Sequence, residues 1–530
     1  MAVAVTERGH SLSPDAVDYA GASLWTLIRE RLRRSPDASM ICDEYGRRVT
    51  FAEFAMQAEE TAASLQLLGI ASGAVVSWQL TTRLESAVLL AALSRLDVVQ
   101  VPIVPLFRAR ELKFIYEETR PDFAFTPGVL TQFDYTAMTR DVVAELGLLT
   151  RVLTLADIPE GGDVEALLPV PSSGSAVRWI FSTSGTSGKP KCVCHTDQSL
   201  MAAAHLLGIG QGLTSRDTNT TNYPIAHCGG PVSVMGQMIF GYRTVYTEQF
   251  QPEAAVALYR EEGVTVAGAG MPFYQAYLAE QRKSPGVPII PTLRALQGGG
   301  GPAPAQIHHD IQRELGVPLL HVLGMTEGLT LTRHPPDSDI EDRAHTVGVP
   351  GDGVEMVIVD AEGQRLPPGV SGEILVRGPM VCCGYTSAEL NAQIITEDGF
   401  IRTGDVGYLR SDGRLVLTGR KKDLIIRKGE NISPTEVEQV LAQHPRILDV
   451  AVIGVPDDER GEMACAVVVP APGEPLDLAE LRSACRAAGL ATYKTPERLE
   501  FIEALPRNAM LKVQKDQLRA QILARGAAVS

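Results

Sequence analysis

The chain has 530 residues, a formal net charge of −15, and 45% hydrophobic, 21% charged and 5% aromatic residues. That length exceeds one domain, and that composition excludes a disordered chain, a collagen-like chain and a disulfide scaffold. The acidic balance argues against a global nucleic-acid or anionic-membrane footprint, so local basic groups must hold any anionic ligand. The eight cysteines form no CxxC pair and no zinc-like spacing. They read as reduced thiols in a cytoplasmic protein. The first ten residues, MAVAVTERGH, lack the apolar run of a signal peptide. The most apolar stretch, 87–106, is interrupted by Arg95, Asp97 and Gln100 and is too broken to span a bilayer.

Residues 21–35 carry Leu24, Leu27, Ile28 and Leu32 at helical spacing. Residues 51–68 repeat the pattern with Phe51, Phe54, Ala55, Ala58, Ala62, Leu65 and Leu68. Short apolar runs follow: VVSWQL at 75–80, VVQVPIV at 98–104 and FAFTP at 123–127. This alternation predicts an α/β fold of mostly parallel sheets with covering helices. After about residue 346, VEMVIVDAEG, SGEILVRGP and GDVGYLRSDGRLVLTGR read as short strands. Asp412-Gly413 between two apolar runs is a hairpin signal. A β-rich subdomain is expected over about 346–420. Residues 421–428 open a new α/β pattern, which places a boundary at Arg420–Lys422 between an N-terminal domain, 1–420, and a C-terminal domain, 421–530. In that second unit Ser433 is an expected helix N-cap, Pro434 takes the first helical position and Glu436 completes a capping box.

The richest segment for chemistry is 179–196, WIFSTSGTSGKPKCVCHT. An apolar strand runs into a loop of hydroxyls and glycines (Ser182, Thr183, Ser184, Gly185, Thr186, Ser187, Gly188), followed by Lys189 and Lys191. Hydroxyl donors, backbone N–H groups turned toward one point and positive charge together suit a polyphosphate. The P-loop of NTPases is excluded, because that motif needs GxxxxGK before Ser or Thr. His195 beside Cys192 and Cys194 does not read as a metal site, since no second ligand pair has suitable spacing.

This segment resembles the phosphate loop of the AMP-forming adenylate synthetases, the superfamily of acyl-CoA synthetases, aryl-CoA ligases, luciferases and adenylation domains. Cys192 stands where the family usually has Gly. Further segments resemble the family's motifs in the same order, from about residue 25 to 520. HVLGMTEG at 321–328 resembles its GMTE motif, with Leu323 in place of an aromatic residue and His321 in place of a frequent Asn. The resemblance implies that Leu323, Gly324 and Met325 line the nucleotide. It also implies that Thr326 contacts the α-phosphate and that Glu327 holds Mg²⁺ with Ser184 or Thr186, a hard-oxygen set for a hard cation. The glycines Gly298, Gly299, Gly300 and Gly301 resemble the segment that passes adenine. Asp405, in RTGD, would accept bonds from the ribose hydroxyls, and Arg420 would reach ribose or phosphate. Lys422 occupies the family's hinge. Arg427, Lys428 and Gly429 resemble the loop that meets coenzyme A. In PRNAMLK, Lys512 resembles the lysine that drives adenylation, with Leu511 replacing Gly and Lys515 as the fallback. NYPIAHCGG at 222–230 places His227 by the carboxylate, and Gly230, Gly268, Gly270, Met271 and Gly298 line the implied acyl pocket.

The implied fold is α/β: a large adenylate-forming domain of two mixed sheets with helices and a small β-rich subdomain, plus a small mobile α+β domain. The implied reaction forms acyl-AMP and pyrophosphate, then acyl-CoA and AMP. Lys512 serves the first step and the Gly429 loop the second, after rotation about Lys422. Mg²⁺ is the expected cofactor. The expected partners are a small-molecule carboxylate, ATP and CoA, with no nucleic acid, no integral membrane segment and a homodimer as an open assembly state. An apolar fatty, alicyclic or aryl acid fits best, and free amino acids are expected to fail because no acidic residue is evident to hold an ammonium. The alternatives are a ligase that loads a carrier protein in trans, a luciferase-like oxygenase, and a non-catalytic nucleotide-binding member.

Overall fold

The computed structural model describes residues 16–183, 190–221, 223–301, 303–428, 430–457, 460–473, 476–507 and 513–527. Two seven-stranded sheets dominate. The first runs Leu319–His321, Ala295–Gly298, Val266–Ala269, Thr218–Thr221, Arg243–Tyr246, Ser39–Asp43, Arg48–Thr50. Its neighbours are parallel except the last pair. The second runs Gly384–Tyr385, Lys191–Thr196, Val177–Thr183, Val99–Pro102, Val75–Trp78, Phe123–Thr126, Arg151–Thr154. It is parallel except at the edge formed by its first three strands.

The predicted helices form where their caps allow. Ser23 caps Leu24–Arg34, its side chain accepting from the Thr26 N–H. Thr50 and Glu53 make a reciprocal capping box for Phe51–Leu67. The apolar stretch near residue 90 becomes Leu84–Arg95, a helix buried on almost every face. Among the described residues no helix is long and apolar enough to cross a membrane. Arg31, fully buried, donates to the carbonyls of Met238 (2.8 Å) and Ile239 (2.7 Å). Those carbonyls end the helix Gly229–Phe240, where a cation meets the negative end of the helix dipole.

The β-rich region is an antiparallel sheet of Glu355–Val359, Gly372–Arg377, Ile401–Leu409 and Leu415–Arg420. The Asp412-Gly413 turn closes its last hairpin, with the Arg410 N–H on the Arg414 carbonyl at 2.8 Å. A short 3-10 turn, Lys421–Asp423, leads into a five-stranded sheet that includes Ile425–Arg427, Ile447–Asp457 and Gly461–Pro470. Ser433 caps Pro434–Leu441 as expected. The second half of the expected capping box does not form. The Glu436 carboxylate pairs with Lys494 at 2.7 Å instead, a longer-range ion pair that local sequence cannot reveal.

Candidate active site

Four neighbouring parallel strands of the first sheet end at the residues singled out in sequence. Thr218–Thr221 leads to His227 and Gly230, and Val266–Ala269 to Gly270 and Met271. Ala295–Gly298 leads to Gly299, Gly300 and Gly301, and Leu319–His321 to Leu323, Thr326 and Glu327. Carboxyl ends of parallel strands are where open α/β sheets bind ligands. Thr326 and Glu327 sit at the tip of a tight hairpin between Gly324–Met325 and Leu329–Thr330. That hairpin holds Leu329 at φ +51°, a left-handed conformation costing a β-carbon residue about 1–2 kcal/mol.

The phosphate-loop segment is itself a hairpin, Val177–Thr183 against Lys191–Thr196, with Thr183 facing Lys191. Its tip, Ser184, Gly185, Thr186, Ser187 and Gly188, lies outside the described residues. The stem is fixed to the GMTE hairpin by side chains. His195, fully buried, has Nε2 2.7 Å from the Thr326 carbonyl and Nδ1 2.9 Å from the Ser199 hydroxyl. A carbonyl only accepts, so Nε2 carries the proton and Nδ1 accepts from Ser199. Burial pushes this imidazole down to about 4, so it stays neutral. With both nitrogens engaged, His195 is not available as a metal ligand. Cys192 does not join it either, because its side chain packs in an apolar cluster with Val101, Ile103 and Ile180. This is the position where the resembling family has glycine.

Glu327 is buried, and its Oε1 accepts from the Tyr385 hydroxyl at 2.6 Å. Burial and the Glu327 charge push the Tyr385 phenol well above the ordinary tyrosine range, which keeps it a donor. The Lys191 ammonium lies 5.3 Å from the centre of the same ring. A single buried carboxylate with a neutral donor on one oxygen suits Mg²⁺, which binds few protein carboxylates and takes its other ligands from phosphate and water. Ser184, the other expected ligand, is outside the described residues.

A small cavity brings three of these segments together. It is lined by Pro102, Phe181 and Ser182 from the second sheet, by Val104 just beyond it, by Ala226, His227 and Cys228, and by Thr326. His227 stacks on Tyr223 at 5.7 Å, and its Nδ1 accepts from the Gly229 N–H at 3.3 Å. Burial pushes it down to about 4, leaving a neutral ring with its proton on Nε2.

The glycines divide by role. A Cβ at Gly298 would lie 2.2 Å from the Ala269 carbonyl oxygen, and one at Gly268 would lie 2.0 Å from that of Gln297. A Cβ at Gly230 would lie 2.1 Å from the Ile225 oxygen. These glycines let neighbouring backbone segments pack closely against one another. Gly300 and Gly301 face open space. Leu323 is buried in the main core, and Met271 packs on the second core.

Behind the glycines lie three buried histidines. His321 donates from Nε2 to the Gly301 carbonyl at 2.7 Å, and His334 donates to the His321 carbonyl at 2.9 Å. The His308 ring is 6.5 Å from that of His321. Burial pushes His321 and His334 down to about 4, and burial with neighbouring cationic groups pushes His308 down to about 2. The unfolded chain takes up these protons near 6.5, whereas the folded chain does so only at lower pH. Stability is therefore complete above that value and falls as pH drops toward 4, by on the order of 1.4 kcal/mol per pH unit for each group. The urea midpoint should drop steadily from pH 7 to 4.5; a flat midpoint over that range would contradict the assignment.

Asp405 and Arg420 are cross-strand partners, with Asp405 Oδ1 2.8 Å from Arg420 Nε. Asp405 is 5% exposed, and its N–H donates to the Thr403 hydroxyl at 3.0 Å. Asp405→Asn removes a charge-assisted acceptor. The KM for ATP should rise by about 10- to 100-fold with the far-UV spectrum unchanged. An unchanged KM would remove Asp405 from nucleotide binding.

Lys422 lies in the 3-10 turn between the four- and five-stranded sheets, with Asp423 and Asp516 oxygens at 3.9 and 3.7 Å. Arg427 is engaged by Glu497, at 3.1 Å from Nε and 2.7 Å from Nη2. Lys428 takes φ +49° and donates its N–H to the Arg460 carbonyl at 2.9 Å. Gly429 and Lys512 lie outside the described residues. The fallback, Lys515, is held by Glu438 at 2.6 Å. Sequence reasoning missed Tyr385, His195 as the anchor of Thr326, and Glu497. Their partners are 58, 131 and 70 residues away, and no local pattern marks such pairs.

Residues 28–386 match the AMP-binding enzyme family, and residues 436–512 match the AMP-binding enzyme C-terminal domain. The chain belongs to the AMP-binding enzyme family. It is 32% identical to a medium-chain fatty-acid–CoA ligase of Escherichia coli (strain K12), over 96% of this chain and 92% of that protein. It is also 32% identical to a salicyl-AMP ligase / salicyl-S-ArCP synthetase of Mycobacterium tuberculosis, over 95% and 91%. ATP-bound MatB from Rhodopseudomonas palustris superposes with a TM-score of 0.84 at 27% identity, over 93% of this chain and 98% of that one. The expected α/β architecture, with a large N-terminal domain of two mixed sheets and a small C-terminal domain, is the one observed.

Proposed function

We propose that this chain is an ATP-dependent carboxylate–CoA ligase acting on an apolar fatty, alicyclic or aryl acid. The observation that carries the reading is the cavity where Ser182, His227 and Thr326 meet, beside the Glu327–Tyr385–Lys191 cluster. The buried carboxylate and the ammonium of that cluster suit a metal-bound polyphosphate, and neutral His227 in a mostly apolar lining suits the carboxylate of an apolar acid. Family membership and relatives named as fatty-acid–CoA and aryl–CoA ligases support the same reaction.

In the first step a carboxylate oxygen bonds to the α-phosphorus and the bond to pyrophosphate breaks. In the second, a thiol sulfur bonds to the acyl carbon, AMP leaves and the thiol proton is lost. His227, neutral at pH 7, offers an Nε2–H without a charge that would trap the carboxylate. Asp405, with its charge balanced by Arg420, holds the ribose. Lys191 faces the phosphates, and Lys512 brings an ammonium to the developing charge. Mg²⁺, held by Glu327 and Ser184, would supply charge neutralisation on the phosphate oxygens. We assign residues 1–420 and 421–530 to two domains that turn about Lys422, so that Lys512 serves adenylation and the Gly429 loop serves thiol transfer. Gly300 and Gly301 are assigned to the adenine edge, and a cytoplasmic location goes with this reading.

One observation favours carrier-protein loading as the second reading. Arg427, expected on CoA phosphate, is already engaged by Glu497 and shares it with Arg460, 3.1 Å away. The M. tuberculosis relative's name also includes carrier-protein loading. Incubation with ATP, a panel of carboxylates and either CoA or a holo-carrier protein decides between them. Acyl-CoA as the main product is expected, whereas product on the carrier alone would install the second reading.

A further inference from the structure

We propose that Tyr385 is a positioning residue for adenylation. Its hydroxyl orients the Glu327 carboxylate, and its ring seats the Lys191 ammonium. The proposal rests on the reading of Glu327 as the group that holds the nucleotide's metal.

A glutamate at a hairpin tip has several torsions through which to present two equivalent oxygens. Here Oε1 is taken by the Tyr385 hydroxyl at 2.6 Å, the length of a charge-assisted bond. The other oxygen is the one left to a cation. The Glu327 backbone is held as well, its carbonyl accepting from the Cys382 N–H at 2.8 Å. Tyr385 is rigid enough to impose an orientation. It is 6% exposed, and it pairs with Val193 on the stem of the phosphate hairpin. The Asn391 side chain brackets its backbone, accepting from the Tyr385 N–H at 2.6 Å and donating to its carbonyl at 2.9 Å. The Lys191 ammonium lies 5.3 Å from the ring centre, where a cation is attracted to the aromatic face. One side chain thus fixes an anion at its tip and a cation at its face, and both belong to the phosphate end of the site. Tyr385 acts through these two groups rather than on the substrate.

The test uses the full-length protein and two readouts: Mn²⁺ affinity in the presence of α,β-methylene ATP, followed by EPR, and affinity for the same analogue in EDTA. Tyr385→Phe keeps the ring and loses the hydroxyl. It should weaken Mn²⁺ binding about tenfold while metal-free nucleotide affinity stays at the wild-type value. Tyr385→Leu should weaken both, because Lys191 loses its seat. In a cycle with Glu327→Gln, Tyr385→Phe should add little. If Tyr385→Phe binds Mn²⁺ like wild type while Glu327→Gln does not, the positioning role is wrong and the reading of Glu327 stands. If Glu327→Gln itself binds Mn²⁺ like wild type, that reading fails and the proposal fails with it. Equal losses for Tyr385→Phe in both readouts would mark a merely structural residue and overturn the proposal.

Discussion

Glu327→Gln is expected to lower carboxylate-dependent exchange of pyrophosphate into ATP by at least about a hundredfold, the scale on which loss of one preorganised electrostatic contact is felt in catalysis. Glutamine has nearly the volume of glutamate, and its amide oxygen can still accept the Tyr385 hydroxyl that holds Oε1 at 2.6 Å. The hairpin around Met325 and Leu329 is therefore expected to keep its shape. What disappears is the negative charge that a hard cation requires. The loss should fall on exchange and on the Mg²⁺ requirement together, with the thermal midpoint within a few degrees of wild type. Exchange within threefold of wild type would mean that this buried carboxylate does not serve the nucleotide.

Lys512→Ala is expected to separate the two half-reactions. An ammonium bridging the carboxylate oxygen and the α-phosphate stabilises charge only while the first step proceeds. Pyrophosphate exchange should drop by about 10²- to 10³-fold. Thioester formation from pre-formed acyl-AMP should stay within a few-fold of wild type, because that step no longer needs this amine. Lys515→Ala is the control. The Lys515 ammonium is already in an ion pair with Glu438 at 2.6 Å, so its loss should touch stability more than exchange. If Lys515→Ala abolishes exchange and Lys512→Ala does not, the assignment is reversed.

The sequence was most readable where chemistry is local. The hydroxyl- and glycine-rich stretch after Phe181 lies in one short run. There, residue type and spacing carry the meaning. The Asp412-Gly413 hairpin was legible for the same reason. The roles of Gly300, Thr326, Asp405 and Arg420, by contrast, came from resemblance to family motifs, and the Asp405–Arg420 pairing emerged only with the sheet. What was hidden depends on partners far along the chain. Glu436 reads as half of a capping box but pairs with Lys494. Arg427 reads as a phosphate ligand but meets Glu497. The demand that a neighbouring strand's carbonyl places on Gly268 and Gly298 has no local mark either. Tyr385 carries no local signature at all. It matters only because the second sheet sets it against Val193 and next to Glu327.

The central claim is that one site joins a carboxylate to the α-phosphate of ATP. The most direct measurement is exchange of labelled pyrophosphate into ATP by the full-length protein without CoA, across fatty, alicyclic and aryl acids. Exchange that depends on at least one of these acids and vanishes without acid is the predicted result. Absence of exchange with every acid, in a protein that demonstrably binds Mg·ATP, would contradict the claim.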